Sequence, residues 1–506
     1  MSFFVMKLLL AKIQKVIKNK SIYITCMIPE EIRGFLSHEG GSSLIIQGTP
    51  GTGKTTLAFE LMDTLPELNP IYLSTRATTE AIYRYFPRLR QKQNEIEIVE
   101  SKNVFWDRFF KKADNKVLRV EKDVFEVYGM LDDPDKTDFS DLDTVCDRID
   151  AFLPKTSLLV MDSLEGLCDR YKVSETFLIG IITRCLVEPA HTKVVIVLEK
   201  ECNIELGYIA DGVISMYQRD VGGRRLRILA LDKLRGISIR QPNYLYTLNN
   251  GRFHSFDKFK VAHPLDYQSF DHILNTKTHY STGNHDLDDV FGGYPVGSYI
   301  LLETGANVDN FFYVLPMLTA ANVVSQGGGA VILSVSSAGP SEIKNYVFEY
   351  GLSDKLNSFR VITEENPEEP ITEDFVVTYD KERFSSDSGI LYKELQRLQD
   401  AYSGNVVKIV DYRIFETMLD QQLLKKTIIS EKKYSAANKL LTIVMCGDGT
   451  TPEIRKTLAD VSDMHLKLDK CNNTIILHGE KPTTGIYVIE PDVSHGYKDI
   501  KLTSVR

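Results

Sequence analysis

The sequence predicts an α/β protein: mostly parallel sheets with helices on both faces, shaped to hold a nucleotide. Three observations carry that expectation. Glycines at Gly48, Gly51 and Gly53 lead directly into Lys54 and Thr55. Short apolar runs alternate with helical patterns on either side of them. Farther on, an apolar run, Leu158-Leu159-Val160-Met161, ends in Asp162 and Ser163.

The stretch Gly48-Thr49-Pro50-Gly51-Thr52-Gly53-Lys54-Thr55, with Thr56 behind it, reads as a Walker A loop. A polyphosphate needs backbone N–H groups turned toward it, and the glycines adopt the backbone angles that allow this. Lys54 supplies a point charge for the β- and γ-phosphates. The Thr55 hydroxyl suits a magnesium ion, and the following helix points its positive end at the anion. The flanking context fits: Leu44-Ile45-Ile46 predicts a buried strand, and residues 55–65 predict a helix.

A second strand is expected at residues 71–74, then a helix over 79–85 that stops at Pro87. Strand, helix and strand at these lengths imply right-handed crossovers and a parallel sheet. Residues 88–150 are highly charged and less regular, and read as helices and an insertion over the core, their charge serving solvation. Residues 158–163 then predict a Walker B strand, which would bring Asp162 beside the phosphate loop to hold magnesium through water. A helix over 174–188 and a buried strand over 194–198 follow.

At 506 residues the chain is too long for one ordinary core and calls for two to four domains. With 43% hydrophobic and 25% charged residues it has the composition of a soluble globular protein. A net charge of -9 argues against holding nucleic acid by bulk electrostatics, so DNA is a conceivable partner but not the favoured one. The seven cysteines are scattered and show no metal-ligand spacing, which fits a reducing cytoplasm. The N-terminus is apolar but brief, runs into a basic amphipathic stretch and lacks a cleavage site; a packed or partner-docking helix is expected there. No apolar run is long enough to span a bilayer.

Asp162-Ser163, Ile209-Ala210-Asp211-Gly212-Val213-Ile214 and Leu231-Asp232-Lys233-Leu234-Arg235-Gly236 together resemble successive motifs of the RecA superfamily, most closely its KaiC/RadA branch. The resemblance implies ATP and magnesium as ligands. It also implies a homo-oligomer in which Lys233 and Arg235 reach the γ-phosphate bound by a neighbouring subunit, in the manner of an arginine finger. On the residues alone, the alternative is a surface hairpin turning at Gly222-Gly223.

The second half reads as a worn copy. Residues 281–298 resemble the opening segment of a KaiC-type domain, and residues 299–302 supply the expected strand. The stretch in place of a phosphate loop has one glycine, Gly305, no lysine, and Asp309 where an anion would approach. Like charges repel in such a pocket, so tight ATP binding is not expected there. Asp411, at the end of the strand in the Walker B place, reads as structural. The fold expected is therefore two tandem RecA-like P-loop domains: residues 1–254, intact; a linker over 255–280; and residues 281–506, degenerate.

One departure bears on turnover. KaiC-type proteins carry adjacent glutamates after the second strand to orient the attacking water; here Ser74-Thr75-Arg76-Ala77 stands instead. Glu80 and Glu165 are substitutes to consider, and Arg76 either senses the γ-phosphate or pairs with the acidic insertion. Gly40-Gly41-Ser42-Ser43-Leu44, the end of the second strand and the degenerate second half resemble the archaeal subgroup that includes the gas-vesicle regulator GvpD. That resemblance implies action on a protein partner, a transcriptional activator. The leading expectation is a slow regulatory ATPase that switches a partner. The alternatives are a non-hydrolysing ATP-binding scaffold, a RadA-like DNA-dependent ATPase using Arg224, Arg225 and Arg227 or the basic run over 84–92, and a self-phosphorylating kinase.

Overall fold

A computed structural model describes residues 27–93, 95–101, 140–200, 204–305, 308, 313–333, 339–365, 373–380, 389–416 and 418–506. The apolar N-terminus, most of the charged insertion, and Asp309 with most of the degenerate loop lie outside the described residues. The chain divides into two compact units between Asp257 and Lys258, with the last residue, Arg506, grouped with the first.

The first unit is built on one sheet of nine strands: β1 (Ser42–Gln47), β2 (Asn69–Ser74), β3 (Glu97–Glu100), β4 (Ser157–Asp162), β5 (Lys193–Val197), β6 (Gly212–Val221), β7 (Arg224–Leu234), β8 (Asn243–Thr247) and β9 (His254–Phe256). Their order is β3-β2-β4-β5-β1-β6-β7-β8-β9. Strands β1 to β6 run parallel to their neighbours, and β7 to β9 extend the sheet as antiparallel hairpins. Every residue of β1 is buried, because helices cover both faces and strands flank both edges. Leu44 and Ile46 join one apolar cluster and Ile45 the opposite one, the two-residue period of a strand. The insertion contributes an element the sequence reading missed: β3 pairs in parallel with β2 and extends the sheet edge. The turn between β6 and β7 is made by Gly222 and Gly223, at φ 58° and 74°, as the glycine pair predicts.

The second unit contains a two-stranded hairpin, β10 (His279–Tyr280) with β11 (Tyr294–Pro295). Its main sheet is made of β12 (Tyr299–Thr304), β13 (Gly329–Leu333), β14 (Phe359–Glu364), β15 (Val376–Tyr379), β16 (Val406–Asp411), β17 (Leu441–Cys446), β18 (Met464–Cys471), β19 (Thr474–Lys481), β20 (Tyr487–Asp492) and β21 (Asp499–Ser504). The order is β15-β14-β13-β16-β17-β12-β18-β19-β20-β21. With β15 removed, this is the order of the first sheet strand for strand, and β12 takes the place of β1, β16 of β4 and β17 of β5. The second half is therefore a RecA-like α/β domain in topology as well as in sequence pattern.

Between the two sheets, β9 continues through Phe256, and residues 258–278 run without helix or strand. This stretch is tied to the second unit by backbone bonds from Phe259 to Asn473, Gln268 to Gly496 and Phe270 to Tyr350. Phe270 is buried there against Tyr350 and Tyr497.

Candidate nucleotide site

The phosphate loop connects β1 to the helix Lys54–Thr64. Its backbone depends on glycine at two points. Gly48 has φ 147°, and a Cβ there would lie 2.1 Å from the Met216 carbonyl oxygen; Gly53 has φ 96°, and a Cβ would lie 2.6 Å from the Leu248 side chain. The loop is also held from outside. The Tyr246 hydroxyl donates to the Thr52 carbonyl over 2.6 Å, and Gln218 and Arg227 both donate to the Gly51 carbonyl over 3.0 Å. With carbonyls drawn outward in this way, the loop's N–H groups are left for an anion.

Lys54 begins the helix and is almost wholly buried. Its ammonium donates to the Gly48 and Thr49 carbonyls at 2.6 and 3.1 Å. Burial lowers its pKa from the ordinary lysine value, opposed by the charges of Asp162, Glu199 and Glu165. Thr55, one residue on, donates its hydroxyl to Asp162 Oδ2 across 2.6 Å. That carboxylate oxygen also accepts from the Tyr72 hydroxyl at 2.8 Å. Burial and the Asp162 charge push the Tyr72 phenol well above its usual range, so it acts as a fixed donor. A hydroxyl and a carboxylate in contact beside a buried lysine are the oxygen ligands a divalent cation bound to a polyphosphate uses. The residues present fit both groups.

The end of β4 is fastened to the end of β2. Thr75 bonds the Asp162 carbonyl through its N–H and its hydroxyl, and its oxygen accepts from the Ser163 N–H at 2.8 Å. Just beyond, Arg76 forms an ion pair with Glu199 at 2.8 Å, so its partner is the acid that follows β5 rather than the insertion. Glu199 also lies 3.4 Å from the Ser163 hydroxyl, and its N–H donates to Glu165 Oε1 at 2.8 Å. Sequence reasoning passed over Glu199 and Tyr72. The signal for Glu199 was present: the run ending Val195-Ile196-Val197-Leu198-Glu199 is an apolar strand closed by an acid, the same pattern that marks Asp162.

The other expected residues are dispersed. Glu80 is 81% exposed and pairs with Arg90. Lys233 and Arg235 lie back from their own phosphate loop: Lys233 is opposite Val213 and Val213 is opposite Ile45, in the middle of β1, and both side chains turn toward Ala210 and Asp211, before the start of β6. There the Lys233 ammonium donates to the Gly207, Tyr208 and Ala210 carbonyls, and Arg235 pairs with Asp211 at 2.8 Å. In the basic run, Arg88 and Lys92 are tied to Glu60 and Asp63, and Arg90 to Glu80. Arg224, Arg225 and Arg227 sit on the β6–β7 hairpin, with Arg227 reaching the phosphate loop of the same chain.

The corresponding position of the second unit is closed by the protein itself. Asp411 is fully buried at the end of β16, and Arg413 clasps it through Nε at 3.0 and 3.1 Å and through Nη2 at 2.5 Å. Tyr313, at the start of the helix Val314–Ser325, donates its hydroxyl to Asp411 at 3.2 Å, where Thr55 meets Asp162 in the first unit.

Residues 32–232 match the family described as "GvpD gas vesicle protein, P-loop domain". Along nearly its whole length the chain is similar to two proteins of Halobacterium salinarum. It is 26% identical to Protein GvpD2, covering 94% of this chain and 96% of that protein. It is 25% identical to Protein GvpD1, covering 95% and 97%. The likeness to these two proteins thus runs through both domains. Among the described residues, no helix is long and apolar enough to cross a membrane.

Proposed function

We propose, from the likeness to the GvpD proteins, that the chain is an ATP-binding regulator of the gas-vesicle system, whose first domain holds Mg-ATP and hydrolyses it slowly to switch a protein partner. The observation that carries this reading is the contact of Thr55 with Asp162 beside the buried Lys54 ammonium. Gly48 to Thr56 would wrap the phosphates, Lys54 would neutralise their charge, and Thr55 and Asp162 would hold magnesium, whose charge would screen the phosphates. Loss of a γ-phosphate then releases what it had ordered, the usual way such sites act as switches.

The second domain serves as a structural or docking module. The Arg413 guanidinium on Asp411 supports this assignment, because a cation from the chain already occupies the carboxylate that magnesium would need. Lys233 and Arg235 act on a neighbouring copy; the bonding of both side chains to the segment before β6, rather than to their own phosphate loop, supports a role in trans. The DNA-dependent alternative draws little support, since Arg88, Arg90 and Lys92 are engaged by acids of their own domain.

The test is phosphate release from ATP by the full chain beside Lys54→Ala, with and without single- and double-stranded DNA. Slow release that disappears in the variant and ignores DNA is expected. DNA stimulation would favour the recombinase-like reading. ATP binding with release no faster than the variant's would make the chain a nucleotide-dependent scaffold.

A further inference from the structure

The carboxylates that KaiC-type proteins place after the second strand are absent, yet the site is not without an acid. We infer that Glu199 orients and deprotonates the attacking water in the first domain, and that Arg76 holds it in check until a γ-phosphate draws the guanidinium away. The inference rests on the ATPase reading above and supplies the residue that reading lacks.

Strand order puts Glu199 where the reaction has to occur. β5 lies between β4, which ends in Asp162, and β1, which runs into the phosphate loop. Val197 is in register with Ile46 on one side and Asp162 on the other, and Leu198 N–H bonds the Ile46 carbonyl. The next residue, Glu199, therefore emerges between the phosphate loop and the carboxylate of Asp162. Its charge reaches the buried Lys54 ammonium, the group that meets the β- and γ-phosphates, and its own oxygen is 3.4 Å from the Ser163 hydroxyl.

The other acids are less suited. Glu165 has one oxygen committed to the Glu199 N–H; its second oxygen is buried with no hydrogen-bond partner among the described residues. That makes Glu165 a positioning residue for the backbone of Glu199. Glu80 points to Arg90.

Arg76 supplies the gate. Its ion pair with Glu199 is open to water, the side chains being 55% and 37% exposed, and such pairs are weakly held. A terminal phosphate offers the guanidinium a more highly charged and bidentate partner. With Arg76 on the phosphate, the Glu199 carboxylate is free to accept a proton. Water oxygen then bonds to the γ-phosphorus as the bond from phosphorus to the β–γ bridging oxygen breaks, leaving that electron pair on ADP. The water proton passes to Glu199 and from its exposed side to solvent or to the departing phosphate.

The experiment compares Glu199→Gln, Glu165→Gln and Arg76→Ala with the full wild-type chain, by phosphate release and by fluorescent ATP and ADP titration. Glu199→Gln should lower release by about 10²–10⁴-fold with ATP affinity held, and Glu199→Asp should recover part of it. Arg76→Ala should weaken ATP by about tenfold while sparing ADP. Wild-type turnover matched by Glu199→Gln, or lost only in Glu165→Gln, overturns the assignment and leaves the ATPase reading standing. A wild type that binds ATP without releasing phosphate overturns both. Equal loss of ATP and ADP affinity in Arg76→Ala would reduce that residue to a structural one and remove the gate.

Discussion

The Thr55 hydroxyl and the Asp162 carboxylate meet at 2.6 Å, although one residue lies in a helix, the other ends a strand, and over a hundred positions separate them. The contact joins the first turn of the phosphate-loop helix to the end of β4. It pre-forms the oxygen pair that a divalent cation requires.

Thr55→Ala and Asp162→Asn should therefore weaken nucleotide binding in magnesium by tenfold or more, about 1.4 kcal/mol, and leave binding in EDTA close to wild type. Parallel titrations with a fluorescent nucleotide check this. An equal loss in both buffers would mean that the pair supports the loop rather than the metal.

Asp411 is a fully buried carboxylate whose cationic partner is the Arg413 guanidinium, itself 31% exposed. Arg413→Met leaves Asp411 uncompensated and should cost the second domain about 3–5 kcal/mol, whereas Arg413→Met with Asp411→Asn should recover most of it. Hydrogen exchange of β16 and β17 in the full chain reads the difference. A double variant no better than the single would assign the loss to packing around Arg413.

Glu60, in the helix that starts with Lys54, has no exposed side-chain surface and pairs with Arg252 at 2.5 and 2.9 Å and with Arg88 at 3.1 Å. Glu60→Ala should destabilise the first domain by about 3–5 kcal/mol. Saturating Mg-ATP should offset part of that loss, because only the folded loop binds it. Thermal unfolding with and without nucleotide is the measurement.

Burial, with nearby acids adding to it, pushes the Cys146 and Cys168 thiols up to about 12. Thiolate is the reactive form, so alkylation of both in native protein should be slow at pH 7 and keep rising tenfold per pH unit beyond pH 9, above the ordinary thiol value of about 8.5. Mass spectrometry of the labelled peptides tests it. A plateau near 8.5 would show that labelling passes through an opened chain.

The alternation of strand and helix, the Walker A loop, Asp162 and the worn second copy were all legible in the sequence, because each is a local pattern. Gly48 to Thr55 needs its residue types at fixed spacing to cradle phosphate, and a buried parallel strand has to be a continuous apolar run. What stands beside those residues depended on strand order. Glu199 reads as simple strand punctuation until β5 is found between β1 and β4. Arg76 could be assigned neither to a phosphate nor to the insertion until β2 was seen next to β4. Nor could Asp411's guanidinium, two residues along the chain, be told from a solvated arginine. Sequence specifies which side chains carry charge, while only the packed sheet decides which charges share a low-dielectric pocket, since residues there are brought together by crossovers that local pattern does not encode.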